Sequence, residues 1–223
     1  MSNKDSDTSL PNSCASSKPN APHELKPRAL LLEYFTVGYN IIECIVSIAA
    51  GIASGSIALI GFGLDSIIES LSGGVLIWRL TKHGKISPVE EERIERRAVK
   101  LVGVTFFILG AYIFFISIKK LYYAEAPEPS LIGIIIAAVS LVIMPFLAYL
   151  KFKTGKKMGL ASLVADSKQT IICSILSVAL LFGLGLNYLW GIWWADPVSA
   201  LVIVFFIIRE GITTLKKGEL CTC

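Results

Sequence analysis

Apolar residues in this chain come in long blocks separated by short polar or charged stretches. The blocks run Ala29 to Ile52, Ser56 to Leu80, Leu101 to Ile118, Leu131 to Leu150, Met158 to Leu189 and Trp194 to Ile208. A membrane span needs about 20 apolar residues when each rises about 1.5 Å. Backbone groups in lipid must be satisfied within the segment, so continuous blocks read as helices; barrel strands would alternate instead. We expect an all-α integral membrane bundle of six transmembrane helices over residues 29–215. Arg209 and Glu210 interrupt the sixth block at the interface, before an amphipathic continuation to Leu215.

Composition sharpens this picture. Of 223 residues, 54% are hydrophobic and 17% charged, and the mean hydropathy is +0.67, which leaves no room for a soluble domain. Residues 1–28, rich in Ser, Asn and Pro without apolar periodicity, read as a disordered cytoplasmic tail, and residues 216–223 as a short C-terminal tail. The first apolar block starts only at Ala29, too late and too long for a signal peptide. Cys14, Cys44, Cys173, Cys221 and Cys223 form neither a disulfide framework nor a CxxC pair. A formal charge of +4 is ordinary beside an anionic leaflet, and nothing points to nucleic acid.

Basic residues orient the bundle. Arg79, Lys82, Lys85, Arg93, Arg96, Arg97 and Lys100 fall in the second connection, and Lys151, Lys153, Lys156 and Lys157 in the fourth, whereas GIASG and NYLWGIWW carry none. The positive-inside rule then puts both termini in the cytoplasm. Lys119 and Lys120 are an exception to it, and Trp190, Trp193 and Trp194 fit an outer aromatic belt.

Polar residues inside the spans are the candidate chemistry. Asp65 and Glu69 stand one helical turn apart, so their carboxylates share a face. Each charged side chain at a span centre costs about 2.5 to 3.5 kcal/mol, so something must compensate the pair. Two hard oxygen ligands aimed at one place suit a divalent cation. In the fifth helix Asp166, Gln169, Thr170 and Cys173 fall on one face, and the first carries Thr36, Asn40, Glu43 and Ser47 at helical spacing, as a hydrated path would require. At about 1.5 Å per residue, Glu69 lies about 15 Å from Arg79 and Asp166 about 14 Å from Lys157, which predicts a common depth; Asp65 and Glu43 lie about 21 to 22 Å in.

A bland alternative keeps these acids protonated and bonded to neighbouring helices, with Gln169, Thr170 and Asn40 as partners. Three intramembrane acids, two at a common depth and the third a turn further in, weigh against it for Asp65, Glu69 and Asp166. For Glu43 the two readings stand level, and Cys173 reads first as a small hydrophobe. Asp196, before Pro197, reads as an N-cap of the sixth helix.

These motifs resemble the cation diffusion facilitator family. SxALxxxxxDSxxES, with Asp65 and Glu69, looks like that family's paired-acid motif, and ADSKQT, with Asp166, Gln169 and Thr170, is similar to its second half-site; ADP of the sixth helix also fits. The resemblance implies six helices, a homodimer and export of divalent metal, zinc first. Two departures stand out. No span contains a His where zinc carriers commonly pair His with Asp, and the residues after Leu215 are not expected to hold the family's cytoplasmic metal-binding domain, as in a short membrane-only branch. Either Asp166 is the ligand, with Ser162 at the His position, or Gln169 and Cys173 take the two places; Asp166 is preferred because it alone keeps a carboxylate.

We therefore expect a multi-pass protein of the plasma (inner) membrane that moves a divalent cation by alternating access in exchange for protons. Metal and proton compete for the same carboxylates, so a pH gradient can drive the exchange. The metal site comprises Asp65, Glu69, Asp166, Gln169 and Cys173, with Asn40 and Glu43 on the path. An oxygen-rich site without His suits manganese or iron(II), Cys173 pulls toward zinc, and cobalt is a further candidate. No cofactor is expected beyond the transported ion. The rival is a non-transporting metal-binding or regulatory membrane protein. The chain has no HExxH, GxSxG or phosphate-binding loop, so an enzyme is not expected.

Overall fold

A computed structural model describes residues 25–82 and 88–217. Six helices account for almost all of them: α1 (Lys26–Ser54), α2 (Ile57–Lys82), α3 (Pro88–Tyr123), α4 (Leu131–Met158), α5 (Ala161–Trp190) and α6 (Ala195–Lys217). Among the described residues, five helices are long and apolar enough to cross a membrane, namely α1 to α5. In α6 the apolar run between Pro197 and Arg209 is short, yet its Ala200, Ile203, Val204 and Ile207 are buried in the bundle core.

Packing sorts the helices into two groups. α1 lies along α2, α4 along α5, and the contacts of α1 with α4 and of α2 with α5 close these four into a ring. The α3 and α6 pair leans on the outside, against α2 and α5. Close approach within the ring depends on small residues. A Cβ on Gly63 would fall 2.9 Å from Ile48 and 3.1 Å from Ser47, and one on Gly73 2.8 Å from Val37, so α2 can lie against α1 only without them.

Several helix ends differ from the hydropathy blocks. α3 begins at Pro88, not Leu101, and carries Arg93 and Lys100 as helical residues. α4 continues past Leu150 to Met158 and is ended by Gly159 in the left-handed conformation, φ 65°, with the Gly159 N–H donating to the Lys156 carbonyl at 3.3 Å and the Leu160 N–H to the Gly155 carbonyl at 3.0 Å. α5 consequently starts at Ala161, so Asp166 sits only about 8 Å into it rather than 14 Å. Of the tails expected at 1–28 and 216–223, residues 1–24 and 218–223, with Cys14, Cys221 and Cys223, lie outside the described residues; the rest is not tail, since Lys26 to Arg28 open α1 and Lys216 and Lys217 close α6.

α1 is inside out relative to a soluble helix. Its buried stripe is Glu33, Thr36, Asn40, Glu43, Ser47, Ala50 and Ser54, while Leu31, Phe35, Ile42, Ile45 and Ile52 face outward. Lipid solvates the apolar face; the polar face lines the ring.

Candidate cation site

The ring interior holds the acids. Asp65, Glu69 and Glu43 are all buried, from α2 and α1. Glu43 accepts a hydrogen bond from Ser66 Oγ through Oε2 at 2.8 Å, with Ser140 of α4 and Tyr39 beside it. Its Oε1 has no partner. Neither oxygen of Glu69 has a hydrogen-bond partner, although Thr170 and Cys173 of α5 lie next to it. Thr170 has committed its single hydrogen to the Asp166 carbonyl at 3.2 Å, and so has none to offer. Along α1 the amide oxygen and nitrogen of Asn40 and the Ser47 hydroxyl are likewise buried and unpaired.

Such groups are costly. A buried polar atom normally has a partner, and leaving one without it costs about 1 to 3 kcal/mol, more when charged. The unpaired atoms of Asn40, Glu43, Ser47 and Glu69 all face the same ring, so its interior is built for polar occupants such as water or a cation.

α5 presents Asp166, Thr170, Cys173 and Ser177 inward. Gln169 is only half-buried, at the edge of that face. Cys173 is buried within the field of Glu69, Glu43 and Asp65. It lies about 18 Å along α5 from Ala161, and Glu69 about 20 Å along α2 from Lys82, so these two share a depth. Ser177 donates to Ser140 Oγ at 3.1 Å, tying α5 to α4 just beyond.

Asp166 goes elsewhere. Lys151 of α4 donates to its Oδ2 at 2.5 Å and to Glu33 Oε2 at 3.1 Å. The sequence pattern treats Lys151 as a loop cation that marks the cytoplasmic side; it is a wholly buried helix residue facing α1 and α5. A legible signal existed, since Leu147, Lys151, Thr154 and Met158 continue the buried stripe of α4 at helical spacing. Glu33 is likewise one step before Thr36 on the α1 stripe. Among the described residues, no three His, Cys, Asp or Glu side chains converge closely enough to hold a metal ion as they stand.

At the far end Asp196 does not cap α6. It lies inside the first turn of that helix, and its carboxylate accepts hydrogen bonds from Ser56 Oγ and, at 3.0 Å, from Ile57 N–H at the start of α2. Lys120 donates to the Gly55 carbonyl at 2.7 Å, where the negative end of α1 stabilises a cation. That contact accounts for a lysine on the side otherwise poor in basic residues.

Comparison with known proteins agrees with this architecture. Residues 35–218 match the cation efflux transmembrane domain. Transmembrane protein 163 of Xenopus laevis is 22% identical over 199 residues, 89% of this chain and 70% of that protein. An uncharacterized transporter of Synechocystis is 22% identical over 196 residues, 86% of this chain and 62% of its own length. The cadmium, cobalt and zinc/H(+)-K(+) antiporter of Bacillus subtilis is 22% identical over 197 residues, again 86% of this chain and 61% of that protein. This chain thus spans less than two thirds of the latter two. With the family's transmembrane domain matched over most of its length, the chain belongs to the cation efflux family as a multi-pass, six-helix membrane protein.

Proposed function

We propose that this protein carries divalent metal cations across the membrane, with Asp65 and Glu69 as oxygen ligands and Cys173, flanked by Gln169, as the contribution of α5. The observation that carries this reading is Glu69: both its oxygens are buried in a membrane bundle without a hydrogen-bond partner. A carboxylate in that position needs a counter-charge, and a cation supplies one. Asp65 stands one turn away on the same helix.

The choice of Cys173 over Asp166 follows from what each side chain meets. Asp166 has a lysine on one oxygen, whereas Cys173 lies beside Glu69. A site of two carboxylates and one sulfur mixes hard and soft ligands, which favours zinc over manganese or iron(II). The Bacillus relative, named for cadmium, cobalt and zinc, fits the same chemistry. Because no ready-made cage is present among the described residues, coordination forms as the helices close around the ion. That closure is one half of alternating access.

Proton exchange, efflux, a homodimer and a plasma-membrane location belong to the same proposal and rest on the family. The test is uptake of zinc, cobalt and manganese into proteoliposomes under a proton gradient. The wild-type protein should transport zinc, and Asp65→Asn and Glu69→Gln should each abolish it. Unchanged transport in both variants would refute the site, and binding without transport by the wild type would favour a non-transporting metal-binding protein.

A further inference from the structure

We propose that Glu33, Lys151 and Asp166 form an ionic gate that closes the ring between the cation site and the end of the bundle bearing the chain termini. The three side chains come from three helices and meet at one level. Glu33 lies about 10 Å from the start of α1, Lys151 about 10 Å from the end of α4 and Asp166 about 8 Å from the start of α5. Those helix ends lie on one side, the side rich in basic residues. Glu69 and Cys173 lie about 20 and 18 Å in from it. The gate therefore stands between the site and that face, roughly 10 Å shallower.

Its chemistry suits a closure that opens. Glu33 and Lys151 are 0% exposed and Asp166 4%, so water does not separate them. Lys151 is the sole buried basic residue among the described ones. One oxygen of each acid is engaged, yet Glu33 Oε1 and Asp166 Oδ1 are buried without partners. A network kept only for rigidity would be fully satisfied; this one retains acceptors for an arriving cation or for water. α4 also contains Pro145, which removes one backbone hydrogen bond a turn and a half before Lys151 and gives the gate end of the helix room to move.

The gate is coupled to its neighbour by charge. Lys151 stands in the field of Glu69 as well as of its two partners. With Glu69 unoccupied that field holds the ammonium in place. A divalent cation bound there reverses the sign and pushes the ammonium away from it. Loading the site thus loosens the gate, and by linkage a closed gate weakens loading to the same degree. This coupling rests on the cation-site reading; the closure itself does not.

Cys173 provides a native reporter, since it is 2% exposed and lies beyond the gate. In a protein whose Cys14, Cys44, Cys221 and Cys223 are replaced by Ser, a charged, membrane-impermeant thiol reagent is applied to the terminus-bearing side of oriented vesicles, without metal. Lys151→Gln/Asp166→Asn breaks the gate yet preserves the triad's net single negative charge, and should label Cys173 about tenfold faster than the parent. Lys151→Arg, which keeps the ion pairs, should label at the parental rate. Glu33→Gln leaves the Lys151 to Asp166 pair and should give an intermediate rate, and it serves as the test if the double variant fails to fold. Parental rates in the folded gate-breaking variants would overturn the gate. Because no metal is present, this result is independent of whether Asp65 and Glu69 carry the cation.

Discussion

Asp196 and Glu69 are both buried carboxylates in the same bundle, and they are held in opposite ways. Asp196 is fully enclosed, with one oxygen on Ser56 and the other on the Ile57 N–H. It occupies the N-terminal end of α2, where the helix dipole favours a negative charge and the first N–H groups need acceptors. Glu69 is almost as enclosed, at 3% exposure, and has nothing on either oxygen. The first is a staple joining α6 to α2. The second has no hydrogen-bond partner to compensate it, as the proposed cation site requires. Asp166 lies between these extremes, with one oxygen on Lys151 and the other unpaired.

The comparison can be broken or sharpened by substitution. The largest effect on stability is expected from Lys151→Met, which leaves Glu33 and Asp166 buried without their counter-ion and should destabilise the fold by about 3 to 5 kcal/mol, read as a lowered midpoint in detergent-solubilised unfolding. Asp196→Ala comes next. It strands the Ser56 hydroxyl and the Ile57 N–H and should cost about 1 to 3 kcal/mol. Glu69→Gln should be the smallest, within about 0.5 kcal/mol of wild type or more stable, because it removes an unpaired charge and no existing bond. If Glu69→Gln destabilised as much as Asp196→Ala, the two acids would be doing the same structural work and the contrast would collapse.

Much of this is legible in the sequence. The six helices follow from apolar block length, because lipid leaves the backbone no alternative. Asp65 and Glu69 were legible from their cost, and the α1 stripe from its spacing. The helix ends were not, since hydropathy detects the apolar part of a helix and is blind to turns that continue through polar sequence, as at Pro88 to Lys100 in α3 and Lys151 to Met158 in α4. Lys151 was hidden for the same reason: among neighbouring lysines it counts as a loop charge, and only packing shows that it turns inward. With α5 starting at Ala161, Asp166 lies about 10 Å shallower than Cys173, and Cys173 is the α5 residue level with Glu69. For Asp196 local sequence suggested a cap of its own helix, and the tertiary contact with α2 took the carboxylate instead.

The central claim is that Asp65 and the unpaired Glu69 of α2 hold a cation. Equilibrium titration of zinc into the purified full chain, beside Asp65→Asn/Glu69→Gln, tests it most directly. The wild type should bind zinc saturably, and the double variant, still folded, should lose at least the roughly 100-fold in affinity that even an outer-shell partner can contribute. Equal zinc affinity in the two proteins would contradict the account.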